Sequence, residues 1–386
     1  MTELFDDEFI ARLPPLEEYA ANPAVVACCK RTDPAGTRYR EGIEAAFRAL
    51  AEGIKPRFCE RLRSSRDEAH LPAVYELLFL TDFAGRGWKV DYEPEWGGGT
   101  PDFIVHAQAD SFVIEVTVMF DPPEVLSGRR KLETLQEVLA SVPTRYTTEL
   151  SVRGPLPDDL DHDAIVSAVC EWQAELPWRD DEDALYEFSL APFGVDATVA
   201  LCGPGYDDEL PGRLVGTVTS GWRSIGEDRV KKAVHKKAGK YERGGNDPDF
   251  AFVVAVANET SEVLDDLDIH DALGGKETIE VPVNVPPEQR TLRLRRKRTG
   301  VFTARKPDRD EPVNTRVSAV GLCARREEGG GIGFSFRLVH NPFAARPLSR
   351  DVFADRPQLV PTSRDANGVR MEWTHGNDVV PLDPRT

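Results

Sequence analysis

Long apolar runs are missing from this chain. The longest, Phe250 to Ala257, is eight residues, far short of the roughly 20 that a membrane-crossing helix needs. A membrane span is therefore excluded. Nothing at the start reads as a secretion signal: Met1 to Leu13 has four acidic residues in its first eight, and neither a basic leader nor an apolar core. Cysteine is sparse, at six in 386 residues (Cys28, Cys29, Cys59, Cys170, Cys202 and Cys323), and no Cys-x-x-Cys occurs. That spacing fits neither a zinc site nor a disulfide framework, and it reads as the reduced thiols of a cytoplasmic protein. A Walker A loop, a Gly-x-Ser-x-Gly elbow, a fixed-period repeat and histidines at metal spacing are all absent. So is any surplus of positive charge. Lys and Arg number 48 against 66 Asp and Glu, a net −18. This excludes a pervasive basic coat and leaves only local basic patches for contact with nucleic acid.

What is present is an α/β pattern. Residues 1–35 are acidic and punctuated by proline, as in a docking arm. Ile43, Phe47, Leu50 and Ile54 recur at i, i+4, i+7 and i+11 and predict a helix from near Arg38. A second helix is expected over Leu71 to Phe83, with Pro72 in its first turn and Gly85 and Gly87 ending it. The period then shortens. Trp88 to Glu93 reads as a strand and Trp96 to Gly99 as a loop. Asp102 to His106 and Phe112 to Met119 read as strands joined by a polar turn. Helices follow near Arg130 to Ala140, His162 to Leu176 and Asp228 to Tyr241. Strands follow at Val195 to Cys202, Phe250 to Asn258, Thr315 to Ala324 and Gly333 to His340. The order predicts one mixed central sheet flanked by helices. The expected organisation is an N-terminal helical arm over 1–65, a main domain over 66–350 with an acidic insertion at about 143–190, and a tail over 351–386.

The hairpin carries the chemistry. With its turn between Gln108 and Ala109, Ile104 faces Val113 and Asp102 faces Glu115. Opposed Cβ atoms on an antiparallel pair lie about 4.5–5.5 Å apart, where two carboxylates repel unless a cation lies between them. Oxygen ligands of this kind suit Mg²⁺ or Mn²⁺. In Phe112 to Met119 only Glu115 and Thr117 are polar, and both fall on one face. Glu76 stands in Ala73-Val74-Tyr75-Glu76-Leu77-Leu78-Phe79-Leu80, which is not the surround of a solvated face. The competing readings are a strand-capping Asp102, a paired core Glu115 and an exposed Glu76 on a narrow polar stripe.

Glu76, then Pro101-Asp102, then Glu115-x-Thr117 resembles the PD-(D/E)xK, or restriction endonuclease-like, nuclease superfamily. The pattern covers residues 71–119. A looser likeness to uncharacterised bacterial members, with a Glu-x-Thr strand and a Lys-Lys-Ala-x-Lys-Tyr helix, extends through Arg229 to Tyr241, Phe250 to Val256 and Arg316 to Leu348. The resemblance implies an α-β-β-β-α-β core and metal-dependent hydrolysis of DNA, with RNA left open, in a defence or repair setting. It implies Glu76 as the helix acid, which binds a second ion or positions the water, and Asp102, Glu115 and the Val116 carbonyl as ligands of Mg²⁺ or Mn²⁺. Restriction-like enzymes often form homodimers, but no self-complementary surface is readable here.

Thr117 stands where the family has lysine, and threonine cannot supply the positive charge. Val230, Val234, Lys237 and Tyr241 share one stripe of the later helix, which makes Lys237 the candidate replacement. Its alternative is a lysine that packs its stem and points its head into water. Two segments are locally basic: Arg229 to Arg243 has seven basic residues and one acid, and Arg290 to Lys306 has eight basic and no acidic residues. Lys236, Lys240, Arg293, Arg295 and Lys297 are the candidate phosphate contacts. An edge strand charged against aggregation is the competing account of the second segment. A catalytically lapsed relative that binds nucleic acid or a protein partner is the rival for the whole chain.

Overall fold

The computed structural model describes residues 3–16, 23–96, 98–108, 110–121, 123–144, 146–152, 156–177, 185–202, 214–219, 226–240, 250–260, 264, 266–280, 293–296, 298–305, 311–328, 331–365, 368–376 and 379–381. In chain order the helices and strands are α1 (Asp7–Arg12), α2 (Ala24–Lys30), α3 (Pro34–Ala49), α4 (Lys55–Leu62), α5 (Asp67–Gly85), β1 (Lys89–Tyr92), β2 (Phe103–His106), β3 (Ser111–Phe120), α6 (Pro123–Ala140), β4 (Thr147–Val152), α7 (His162–Glu175), β5 (Leu185–Ser189), β6 (Ala197–Cys202), β7 (Leu214–Thr219), α8 (Gly226–Ala238), β8 (Ala251–Glu259), α9 (Asp266–Gly274), β9 (Glu277–Glu280), β10 (Arg293–Arg296), β11 (Val317–Glu328), β12 (Gly331–His340), β13 (Gln358–Asp365), β14 (Gly368–Trp373) and β15 (Val379–Pro381). They divide into two compact units. One comprises Met1–Leu16, Asn22–Phe120 and Ser224–Thr386; the other comprises Glu17–Ala21 and Asp121–Arg223.

The first unit is α/β, built on a large mixed sheet flanked by helices. Its strand order is β1-β2-β3-β8-β11-β12-β13-β14, with β15 also paired to β12. β1, β2 and β3 form an antiparallel meander, and β3, β8 and β11 are mutually parallel. Burial on both faces explains the apolar run in β8, where Ala251 to Ala257 are all buried. Alternation along β3 sorts its side chains. Phe112, Ile114 and Val116 pack into a core with Tyr75, Leu78 and Phe79 of α5. Val113 and Met119 pack on the other face with Val230, Val234 and Ala238 of α8.

α5 explains its own position. Asp67 and Glu68 favour its N-terminus, ten of its residues are buried, and Phe79 meets Phe83, Phe334 and Phe336 at centroid distances of 5.6, 5.1 and 5.3 Å. The helix begins four residues before the expected Leu71, so Pro72 lies inside it rather than in its first turn. Gly87, at φ +70°, supports the stop, and its N–H donates to the Ala84 carbonyl. The segment read as an N-terminal arm is folded into the same core, through Val25, Val26, Ile43, Phe58 and Leu62. Much of the expected tail adds β13, β14 and β15 to the sheet.

The second unit has its own four-stranded sheet, ordered β5-β6-β4-β7, and a core that includes Leu135, Leu150, Ile165, Val169 and Val199. It is wider than the acidic insertion read at 143–190. The strand read at Val195 to Cys202 belongs here as β6, which corrects the expectation of a single sheet. Among the described residues no helix is long and apolar enough to cross a membrane.

Candidate active site

The hairpin has the register read from the sequence, with Ile104 opposite Val113 and Phe103 opposite Ile114. Continuing it one step sets Asp102, just outside β2, against Glu115. Two features deliver Asp102 there. A tight turn closes with paired Trp96–Gly99 backbone bonds of 2.8 and 2.9 Å, helped by Gly98 at φ +79°. The Glu93 N–H then donates to the Asp102 carbonyl at 2.9 Å, with Glu93 itself at φ +45°. That value is strained for a side-chain-bearing residue.

The Asp102 carboxylate reaches across the strand end. Its Oδ2 accepts from the Val116 N–H at 2.6 Å. Within a strand a residue's N–H and C=O point to the same edge, so the Val116 carbonyl is turned to Asp102's side as well. The Glu115 side chain is 0% exposed. A lone carboxylate there would be costly, and α8 compensates it. Val230, Val234 and Ala238 seat that helix on the sheet. Lys237 Nζ lies 2.5 Å from Glu115 Oε2 and 3.9 Å from Asp102 Oδ2. Lys240, just beyond the helix, donates to Glu115 Oε1 at 2.9 Å and to the Thr100 carbonyl at 3.0 Å. Lys237 is thus turned inward onto the carboxylate pair. Lys240, expected at a phosphate, instead bridges Glu115 and the loop before Asp102.

Burial first, then the charges of Glu115 and Glu76, push the Asp102 carboxyl up to about 7, against the opposing pull of Lys237 and the Val116 N–H. Three acids are therefore close enough to feel one another, but they do not share one arrangement. Glu76 is 5% exposed on α5, and its carboxylate is held by Arg61 of α4. Arg61 Nη1 donates to Oε2 at 2.8 Å, Nη2 donates to Oε1, and the Tyr92 hydroxyl lies 3.2 Å from Oε2. No group of three or more His, Cys, Asp or Glu side chains suited to a metal ion occurs among the described residues. The donors that do fit a hard cation are the Asp102 and Glu115 carboxylates and the Val116 carbonyl, an all-oxygen set.

Thr117 is half-buried, opposite Val256 of β8. Lys236 is exposed beside Lys237. Arg293 and Arg295 lie on β10, a strand as expected, but one paired to β9 with Arg293 opposite Glu280 and Arg296 opposite Glu277. Acidic residues therefore occupy register positions against this basic segment. Lys297 and Tyr241 lie outside the described residues. Arg61 and Tyr92 were not singled out by sequence reasoning, and no local pattern marks either. No family model matches the chain, and neither a curated protein nor a solved structure matches it.

Proposed function

We propose that this protein is a divalent-cation-dependent nuclease of restriction endonuclease-like fold that hydrolyses phosphodiester bonds in DNA. The observation that carries the reading is the Lys237 ammonium, 2.5 Å from Glu115 and 3.9 Å from Asp102. It provides from a helix the positive charge that Thr117 cannot provide from the strand. Asp102, Glu115 and the Val116 carbonyl would hold Mg²⁺ or Mn²⁺. When bound, that cation supplies Lewis-acid polarisation of a phosphoryl oxygen and a more acidic water. Lys237 offsets the negative charge that builds on the phosphoryl oxygens as the attacking oxygen bonds to phosphorus and the ester P–O bond breaks. Lys236, Arg293, Arg295 and Lys297 would serve as phosphate contacts, and their contribution falls as salt rises.

One observation favours a second reading, a lapsed nuclease fold that binds nucleic acid or a protein partner. Both Glu115 oxygens already face ammonium groups, so the buried charge is compensated without a metal. Cleavage of plasmid, linear duplex and single-stranded DNA with Mg²⁺ or Mn²⁺, beside Asp102→Ala and Glu115→Ala, separates the two. The nuclease reading expects cleavage by the parent and its loss in both variants. Failure of the parent on every substrate supports the lapsed reading, and undiminished cleavage by the variants sinks the assigned site.

A further inference from the structure

The bidentate clamp of Arg61 on Glu76 bears on how many cations this site takes. We propose that Arg61 is a positioning residue that holds Glu76 out of the cation set, so that the centre takes one divalent cation, on Asp102 and Glu115, and not two. The proposal rests on the cation-binding reading above and deepens it.

Glu76 has an apolar surround on α5, with Tyr75, Leu77 and Phe79 fully buried beside it. A carboxylate there needs a partner at all times. Arg61 comes from the last turn of α4, and its guanidinium also lies over the Phe58 ring at 5.8 Å from the centroid. The planar fork takes both oxygens of Glu76 in parallel, which fixes the carboxylate in position and direction. Tyr92 adds a contact to Oε2 and accepts from Arg61 Nη1 at 3.2 Å, so the three groups brace one another. A cation that recruited Glu76 would have to displace a guanidinium from a site where its other partner is a phenol. Glu76 still acts on Asp102 as a fixed negative charge. Its part is electrostatic, and Arg61 sets it.

Mn²⁺ titration of the full chain, followed by electron paramagnetic resonance of the free ion, tests this. The parent should bind one Mn²⁺ per chain. Glu76→Gln, which keeps the shape, should leave the count at one and the affinity within about threefold, whereas Asp102→Asn should weaken it by at least about tenfold. Arg61→Met frees the Glu76 carboxylate and should admit a second Mn²⁺. Arg61→Lys keeps the charge but not the fork, and should show the same second site if Arg61→Met does not fold. Two ions on the parent, or an ion lost in Glu76→Gln, overturns the proposal while leaving the metal site standing. A count still at one in the folded Arg61 variants overturns it too. Absence of Mn²⁺ from the parent, or indifference to Asp102→Asn, overturns the cation-binding reading itself and the one-cation proposal with it.

Discussion

Replacing Lys237 by methionine should move activity and metal affinity in opposite directions. The lysine stem is largely buried, with 18% of the side chain exposed, and its ammonium lies against both carboxylates. Methionine keeps the stem and removes the charge. A cation held by the same oxygens has that ammonium for a neighbour. Two like unit charges 4 Å apart repel by about 4 kcal/mol at an effective dielectric constant near 20. Most of this is relieved when the flexible stem swings away. A retained third, about 1.4 kcal/mol, is a tenfold change in Kd. Lys237→Met should therefore bind Mn²⁺ about tenfold more tightly while cleaving DNA about 10²–10³-fold more slowly. Without metal it should also be less stable, because fully buried Glu115 loses the nearer of the two ammonium groups that face it. A loss of about 2 kcal/mol lowers Tm by about 3–4 °C in a unit of this size. Calorimetric Mn²⁺ titration, single-turnover cleavage and thermal melts in EDTA read the three quantities. Cleavage within threefold of the parent, or weaker Mn²⁺ binding, would refute the reasoning and return Lys237 to a packing role.

Asp102 predicts a pH dependence. Its folded-state pKa, about 7, lies above the ordinary 3.8, so the metal-free protein holds a proton that the unfolded chain releases. That stabilisation is fully present below about pH 4 and is lost as pH rises through 7, on the order of a few kcal/mol at most. Denaturation midpoints in EDTA from pH 4 to 8 should show this loss in the parent and not in Asp102→Asn; identical slopes would contradict it. Thr117→Lys placed in Lys237→Met should recover roughly tenfold of the lost cleavage, since residue 117 shares a face of β3 with Glu115; no recovery would mean that position does not reach the reacting centre. Phe79→Ala, at the meeting of α5 and β12, should cost about 3–5 kcal/mol in urea unfolding, and a cost under 1 kcal/mol would contradict the packing described for that core.

The hairpin was legible because a polar turn between two period-two strands fixes the register, and the register fixes which carboxylates face each other. Lys237 was legible because Val230 and Val234 define the buried stripe of α8, and the lysine follows on it. Arg61 was not legible. It lies on a short helix, and its pairing with Glu76 depends on how α4 packs against α5, which no local spacing encodes. The second sheet was hidden for a similar reason. β5 has the exposed Leu185 at its start, and proline and acidic residues around β4 and β5 mask a strand period that only pairing reveals. β10 was readable as a strand, but its acidic register partners on β9 were not, because pairing between separate segments has no signature in either one.

Glu115→Gln tests the central claim most directly, since it preserves the shape of a fully buried side chain and removes only its charge. Single-turnover cleavage of end-labelled duplex DNA in Mg²⁺ should fall by about 10³-fold or more relative to the parent, with both proteins showing the same far-ultraviolet circular dichroism. Cleavage by Glu115→Gln at the parent's rate would contradict the account.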